Sequence, residues 1–300
     1  MGQPKAPKFE HAEIRVEDLS KALDFYTNII GLTEIAREDG VVYLGCGMDK
    51  NYDLAVVEGG KGLSHFALRV NDEDELNRLQ KNLTDHGVQV VNTDGREPGQ
   101  EKGIRFDMPN GIKMEFIIVG DDRYVNPARP AYSRTKGFAP LNADHINIMS
   151  TNVKRDADFL KDVLGFRFSD IVEPEPGSGY WTAAWTRYGE YHHDVAITTA
   201  KNKSETLHHF AWSLGNFEDF KRAADMLSDY GVYMELGPSR HPIGPNLFAY
   251  FWEPGGNRFE LSAEAAIIDN STPPNFWRGM EDTLDSWRII EPPASFSRGS

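Results

Sequence analysis

Apolar and polar positions alternate along EHAEIRV (10–16), the two-residue period of a strand with one buried face, and LSHFALRV (63–70) reads as a second, more apolar strand. Behind the first strand comes LDFYTNII, with apolar residues at helical spacing, and then Gly31, a residue suited to a left-handed helix end. Behind the second comes another helical pattern with its own glycine stop, and short apolar runs such as VVYLGC and DLAVVE fill the gaps. The second half of the chain repeats this order. DHINIMSTNVKRDADFLKDVLGFRFS (144–169) mirrors residues 10–35, with ADFLKDVL as its helix and Gly165 as its stop. LHHFAWSLGNFEDFKRAADMLSDYGVYM (207–234) mirrors residues 63–90 and keeps a histidine at the same place in the strand. LFAYFW and NRFELS supply further short strands.

The pattern predicts four βαβββ modules. Each pair must bury one sheet face, which a curved sheet around a cavity achieves. The expected fold is α+β: two domains, each of two βαβββ modules forming a curved, barrel-like mixed sheet. The expected boundaries are an N-terminal, non-catalytic pair over 1–120, a linker over 121–139, a C-terminal catalytic pair over 140–263, and a tail over 264–300. The linker is rich in Pro, Gly and Arg. The tail carries Trp277 and Trp287 and is expected to pack over a domain or a partner subunit, since two exposed tryptophans are unfavourable.

Composition narrows the function. Three hundred residues at 40% hydrophobic content build a large core, and a net charge of −14 repels polyphosphates and anionic lipid, so neither nucleic acid nor membrane is an expected partner. The single Cys46 excludes an internal disulfide and a thiolate-rich metal site, and a reducing, cytoplasmic setting is expected. The N-terminus lacks an apolar signal core, and Ala6 breaks the myristoylation pattern that Gly2 would begin.

Strand alternation then assigns chemistry. His209 shares its face with Ala211 and Ser213, His145 shares its face with Asn147 and Met149, and Glu260 in NRFELS points away from Phe259 and Leu261. Two histidines and a carboxylate from three strands make a facial triad, which leaves open positions on a divalent metal. The first half carries His11, His65 and Glu115 at the matching places. Counting back from the glutamates pairs Tyr250 with Arg105 and His241 with Arg96, while YHHDVAI against NYDLAVV pairs His193 with Tyr52. Two arginines would oppose a dication, so the metal is expected in the second half and the first triad as a remnant of duplication or a packing support.

The run SRHPIGPNLFAYFWEPGGNRFEL (239–261), with LNADHINI, GYWTAAWTRYGEYHHDVAI and LHHFAW, resembles the type I extradiol ring-cleaving dioxygenases (catechol 2,3-dioxygenase-like) of the vicinal oxygen chelate superfamily. Ser239 and Ala249 depart from the usual signature and bear on pocket shape. The resemblance implies extradiol cleavage of a catechol-type diol by O2 in aromatic degradation. It implies that His145, His209 and Glu260 bind Fe(II), with Mn(II) the alternative, and that His208 faces away. His193, Tyr250 and His241 become the catalytic groups, with Asn147, Trp185, His241 and Tyr250 against the substrate. The homoprotocatechuate branch has an arginine where this chain has Leu236, so a neutral or hydrophobic diol is expected unless Arg278 or Arg288 closes over the site. A homo-oligomer, dimer or tetramer, is expected. Two other readings stand beside this one: a glyoxalase-like isomerase or lyase using Zn(II) or Ni(II), and a non-catalytic binding protein of the same fold.

Overall fold

The computed structural model describes residues 7–121, 136–288 and 291–300, so most of the expected linker lies outside the described residues. Four βαβββ units follow one another. The first is β1 (Lys8–Val16), α1 (Leu19–Phe25), β2 (Thr33–Glu38), β3 (Val41–Gly45) and β4 (Leu54–Glu58). The second is β5 (Gly62–Arg69), α2 (Glu73–Asp85), β6 (Val90–Asn92), β7 (Gln100–Asp107) and β8 (Lys113–Val119). The third is β9 (Asn142–Ser150), α3 (Val153–Phe159), β10 (Arg167–Val172), β11 (Ala183–Arg187) and β12 (Val195–Thr199). The fourth is β13 (Leu207–Ser213), α4 (Phe217–Tyr230), β14 (Met234–Arg240), β15 (Leu247–Trp252) and β16 (Arg258–Ala263). The tail adds β17 (Asn275–Trp277), α5 (Glu281–Leu284) and a 3-10 turn at Ala294–Ser297.

Local chemistry fixes these elements. Asn216 caps α4, and the Asp219 side chain returns the bond to the Asn216 backbone N–H. Phe220, Ala223 and Leu227 then fall on one buried stripe. α1 and α3 both run on into five-residue π-helical turns, Tyr26–Ile30 and Leu160–Leu164, before stopping at Gly31 and Gly165. Gly31 is required twice over. Its φ is 93°, and a Cβ there would stand 2.3 Å from the Lys136 carbonyl oxygen, where the chain returns to begin the second half.

One sheet has the strand order β2-β3-β4-β1-β5-β8-β7-β6, and the other β14-β15-β16-β13-β9-β12-β11-β10-β17. Each is a mixed, open sheet with free edges rather than a closed barrel. The centres are alike: β1 and β5 pair antiparallel with β4 and β8 parallel outside them, as β9 and β13 pair between β12 and β16. The sheets are clamped reciprocally. Asp53, just before β4, accepts from the Ala143 amide of β9 at 2.9 Å, and Asp194, just before β12, accepts from the Phe9 amide of β1 at 3.2 Å. Aromatic packing of Phe9 on Phe210 and Tyr26 on Phe259 fills the same junction. In the tail, Trp277 is partly buried against β10, as expected, whereas Trp287 stays 43% exposed in the single chain, beside Phe217.

Candidate metal centre and substrate cavity

Register brings the predicted ligands together. Antiparallel pairing of β9 and β13 sets His209 opposite Asn147, two residues along from His145, and parallel pairing of β13 and β16 sets Ala211 opposite Glu260. All three side chains therefore share one face, and all are buried. His145 Nε2 and His209 Nε2 lie 3.3 Å apart, and Glu260 Oε2 lies 3.2 Å from the first and 3.0 Å from the second. Neighbouring positions of an octahedron with ~2.1 Å bonds are separated by about 3.0 Å, so the triangle has the size of one face around a divalent ion.

The hydrogen bonds behind the triangle show what its atoms carry. His145 Nδ1 donates to Asp144 Oδ1 at 2.7 Å, which leaves a lone pair on Nε2 of the neutral ring. His208 Nε2 faces the Phe296 carbonyl oxygen at 2.8 Å and must donate to it. The other nitrogen of neutral His208 is then an acceptor, so His209 Nδ1, 2.7 Å away, donates and His209 Nε2 also carries a lone pair. With both rings neutral, three acceptors face one another, and this donor set fits a divalent metal. The charge balance agrees. Burial disfavours ionisation of Glu260, yet His209 and His145 hold its carboxyl well below the usual range. Burial also lowers the basicity of His145, but Glu260 and Asp144 outweigh it and lift the ring to about 10, so the triangle calls for positive charge, met by a proton on His145 when no metal is bound.

His208 was expected to face away. Instead a β-bulge between Leu207 and His209 lets it back up the neighbouring ring, and it lines the cavity edge.

The triangle opens into a cavity of about 430 Å³. His193 lines it, its ring centroid 4.0 Å from that of His145. His192 turns outward toward Asp170. Tyr250, directly across the sheet from Glu260, lines the cavity with His241, whose Nε2 lies 3.0 Å from the Tyr250 hydroxyl. His241 Nδ1 donates to the Leu284 carbonyl, leaving Nε2 to accept from the phenol. Burial first, and Glu260 second, raise the Tyr250 pKa well above its ordinary value, so the phenol keeps its proton. Asn147, held by Thr198 through its Oδ1, and Trp185 complete the predicted set on the wall. The roof is tail: Met280, Leu284, Pro292, Pro293 and Phe296, with Glu281 the sole tail carboxylate. Among the described residues no arginine or lysine lines the cavity, and Arg278 instead donates to the Glu173 carbonyl.

The first half builds a different object. His11, His65 and Glu115 converge with Glu97, a residue sequence spacing did not single out. The Arg105 guanidinium sits among them, 2.6 Å from Glu115 Oε2, 2.6 Å from Glu97 Oε1 and 3.1 Å from His65 Nε2. Burial opposes ionisation of Glu97, but hydrogen bonds from His11 and His65 hold it well below the carboxylate range. The expected pairing of His241 with Arg96 fails here. Arg96 is exposed, and the buried side chain facing the first triad is its neighbour Glu97. The alternative alignment, REPG against RHPIG, places Glu97 with His241 at the cost of one inserted residue. Among the described residues, one arginine, Arg105, therefore occupies the first site.

The chain belongs to the Glyoxalase/Bleomycin resistance protein/Dioxygenase superfamily, whose family model matches residues 8–116 and 142–261. It is 30% identical over 291 residues to the manganese-dependent 2,3-dihydroxybiphenyl 1,2-dioxygenase of Geobacillus genomosp. 3, covering 91% of this chain and 90% of that one. It is also 30% identical over 264 residues to a metapyrocatechase of Pseudomonas sp. (strain CF600), covering 84% of each. The crystal structure of the 2,3-dioxygenase LapB from Pseudomonas sp. KL28 superposes with a TM-score of 0.82 at 26% identity, covering 90% of this chain and 96% of that one. Within the superfamily the chain falls among the extradiol dioxygenases, oxidoreductases that open aromatic diols.

Proposed function

We propose that the protein cleaves a neutral, apolar-substituted catechol beside its two hydroxyls with O2, at a mononuclear Fe(II) held by His145, His209 and Glu260. The observation that carries this reading is the buried triangle of two imidazole nitrogens and one carboxylate opening on a cavity with an apolar roof. Mn(II) is the second reading for the metal, favoured by the manganese dependence named for the Geobacillus relative. When bound, the metal supplies coordination positions at which diol and dioxygen meet, and it acidifies the diol.

The chain's own groups do the rest. His193 Nε2 accepts a proton from the diol and returns it during ring opening, so that both oxygen atoms enter the product. Tyr250, fixed by His241, presents its phenol to the oxygen on which negative charge grows. Trp185 and Asn147 orient the ring from the wall. The tail residues exclude water, and Glu281, with no arginine or lysine among the described lining residues, disfavours a substrate with a carboxylate side chain. The reading also includes a cytoplasmic, homo-oligomeric enzyme. Among the described residues no helix is long and apolar enough to cross a membrane, and exposed Ile267 and Phe276 near the tail edge strand suit a subunit contact.

Loading with Fe(II) or Mn(II) under anaerobic conditions, followed by oxygen uptake with 4-methylcatechol, 2,3-dihydroxybiphenyl and 3,4-dihydroxyphenylacetate, tests this. The expected result is one O2 per diol, a yellow product, and kcat/KM at least about tenfold lower for the carboxylate-bearing diol. Inertness across the panel with either metal overturns it.

A further inference from the structure

The chain contains two adjacent histidine pairs at the site, 192–193 and 208–209, and they are built alike. In each, the two rings meet through Nδ1 atoms, 2.9 Å apart in the first and 2.7 Å in the second. In each, the outer ring reaches a fixed acceptor with Nε2: His208 reaches the Phe296 carbonyl, and His192 reaches Asp170 Oδ2 at 2.6 Å. The acceptors differ in charge. A neutral carbonyl ends the chain behind the metal ligand, whereas a buried carboxylate ends the chain behind the ring that handles the proton.

We propose that Asp170, His192 and Trp277 form a relay that fixes His193 in the tautomer with a free Nε2. This deepens, and rests on, the reading of His193 as the acid/base group. Hydrogen-bond direction follows from the donors available. Trp277 Nε1 can only donate, and it does so to Asp170 Oδ1 at 2.6 Å. Asp170 Oδ2 accepts from His192 Nε2, so the neutral His192 ring has its lone pair on Nδ1. His193 Nδ1 must then donate to it, and the lone pair of His193 falls on Nε2. The relay ends on a carboxylate that is 2% exposed, so water does not compete for its acceptors.

The framework holds these parts in line. A register shift between Phe168 and Asp170 in β10 sets the carboxylate, and β17 pairs with β10 to bring Trp277 alongside. A Cβ at Gly244 would stand 2.8 Å from His192 Nδ1, so glycine there leaves the ring its place. Asp194, next to His193, is committed elsewhere, accepting from the backbone of Tyr188, Gly189 and Phe9. The carboxylate serving His193 is therefore the remote Asp170 and not the adjacent one.

The relay makes an unusual prediction for Asp170→Asn. Because Trp277 only donates, the amide oxygen must face it, and the amide NH2 must face His192. Every hydrogen bond survives, but each one beyond the amide reverses: His192 carries its proton on Nδ1, and His193 carries its proton on Nε2, where it cannot accept from the diol. Turnover is expected to fall about 10²-fold, with one metal per chain and an unchanged melting temperature. Adding Trp277→Phe removes the lock, lets the amide oxygen turn to His192, and should recover at least about tenfold over Asp170→Asn alone. A merely structural Asp170 would not show that rescue. Turnover of Asp170→Asn within about threefold of the parent, or equal rates in the single and double variants, overturns the relay. Should Asp170→Asn fail to fold, His192→Phe gives the same reading: slow turnover with full metal supports the relay, and parental turnover removes it. His193→Phe separates the levels, since full turnover there sinks the acid/base reading itself rather than the relay alone.

Discussion

Arg105 and Tyr250 occupy matching places in the two halves of the molecule, each directly across its sheet from the glutamate of a His-His-Glu set. Around Arg105 the carboxylates of Glu97 and Glu115 close onto a guanidinium that the chain itself supplies. Around Tyr250, among the described residues, no arginine or lysine pairs with Glu260, and the carboxylate faces the Nε2 atoms of two imidazoles. The same strand geometry thus serves two ends. In the first half the positive charge is covalent and permanent, and the cluster is an ion-pair network with Tyr52 on His11. In the second half that place is left for an ion from solution, with a cavity beside it. A ligand set defines a metal site only when no internal cation satisfies it first.

The sharpest test removes the glutamate from each half. Glu260→Ala is expected to lose bound metal and all measurable turnover while the protein stays folded. Glu115→Ala is expected to keep one metal per chain and its activity but to lose about 3 kcal/mol of stability, because it strips a buried partner from Arg105. Metal analysis and urea unfolding of both variants decide the matter. Metal lost from Glu115→Ala and retained by Glu260→Ala would reverse the assignment of the halves.

Exchanging the two distinguishing residues is the next test. Tyr250→Arg puts a guanidinium within reach of Glu260 and is expected to weaken metal binding by at least about 100-fold. Arg105→Tyr frees His11, His65, Glu97 and Glu115 and is expected to admit a second, weaker equivalent of Mn(II), measurable by calorimetry. A stoichiometry that stays at one in Arg105→Tyr would show that more than the guanidinium keeps the first site closed.

Much of this contrast was legible in the sequence because it lies on strands. Alternation fixes which side chains share a face, and the repeat fixes which strands meet, so the convergence of His145, His209 and Glu260 and the pairings of Tyr250 with Arg105 and His193 with Tyr52 can be read off by counting. What was missed lies where counting breaks. Glu97 follows β6 in a loop, and its spacing to Glu115 is one residue shorter than that of His241 to Glu260, so counting back selected Arg96. His208 stands at a bulge, where alternation lapses and both histidines of the pair serve one site. The tail has no repeat partner, so nothing in the pattern announced that Leu284, Phe296 and Trp277 would set the hydrogen bonds of His241, His208 and Asp170.

The smallest expected effect concerns the two clamps between the halves, where the symmetry is close but the electrostatics are not. Asp53 accepts from the Cys46 and Ala143 amides, and burial, opposed by Lys8, raises its pKa to about 6. Asp194 is also raised by burial but accepts from three amides. The folded chain therefore holds a proton on Asp53 that the unfolded chain releases near pH 4. Between about pH 4 and pH 6 the folded state binds more protons than the unfolded one, so this group's contribution declines as pH rises, by up to about 3 kcal/mol. Asp53→Asn has no such proton, and it turns an amide NH2 against one of the two backbone donors at a cost of about 1–3 kcal/mol. The stability gap between parent and Asp53→Asn should therefore be widest near pH 4 and narrow toward pH 7. Urea midpoints of both proteins across that range measure it, and a gap that widens with pH would mean the buried carboxylate is ionised in the clamp.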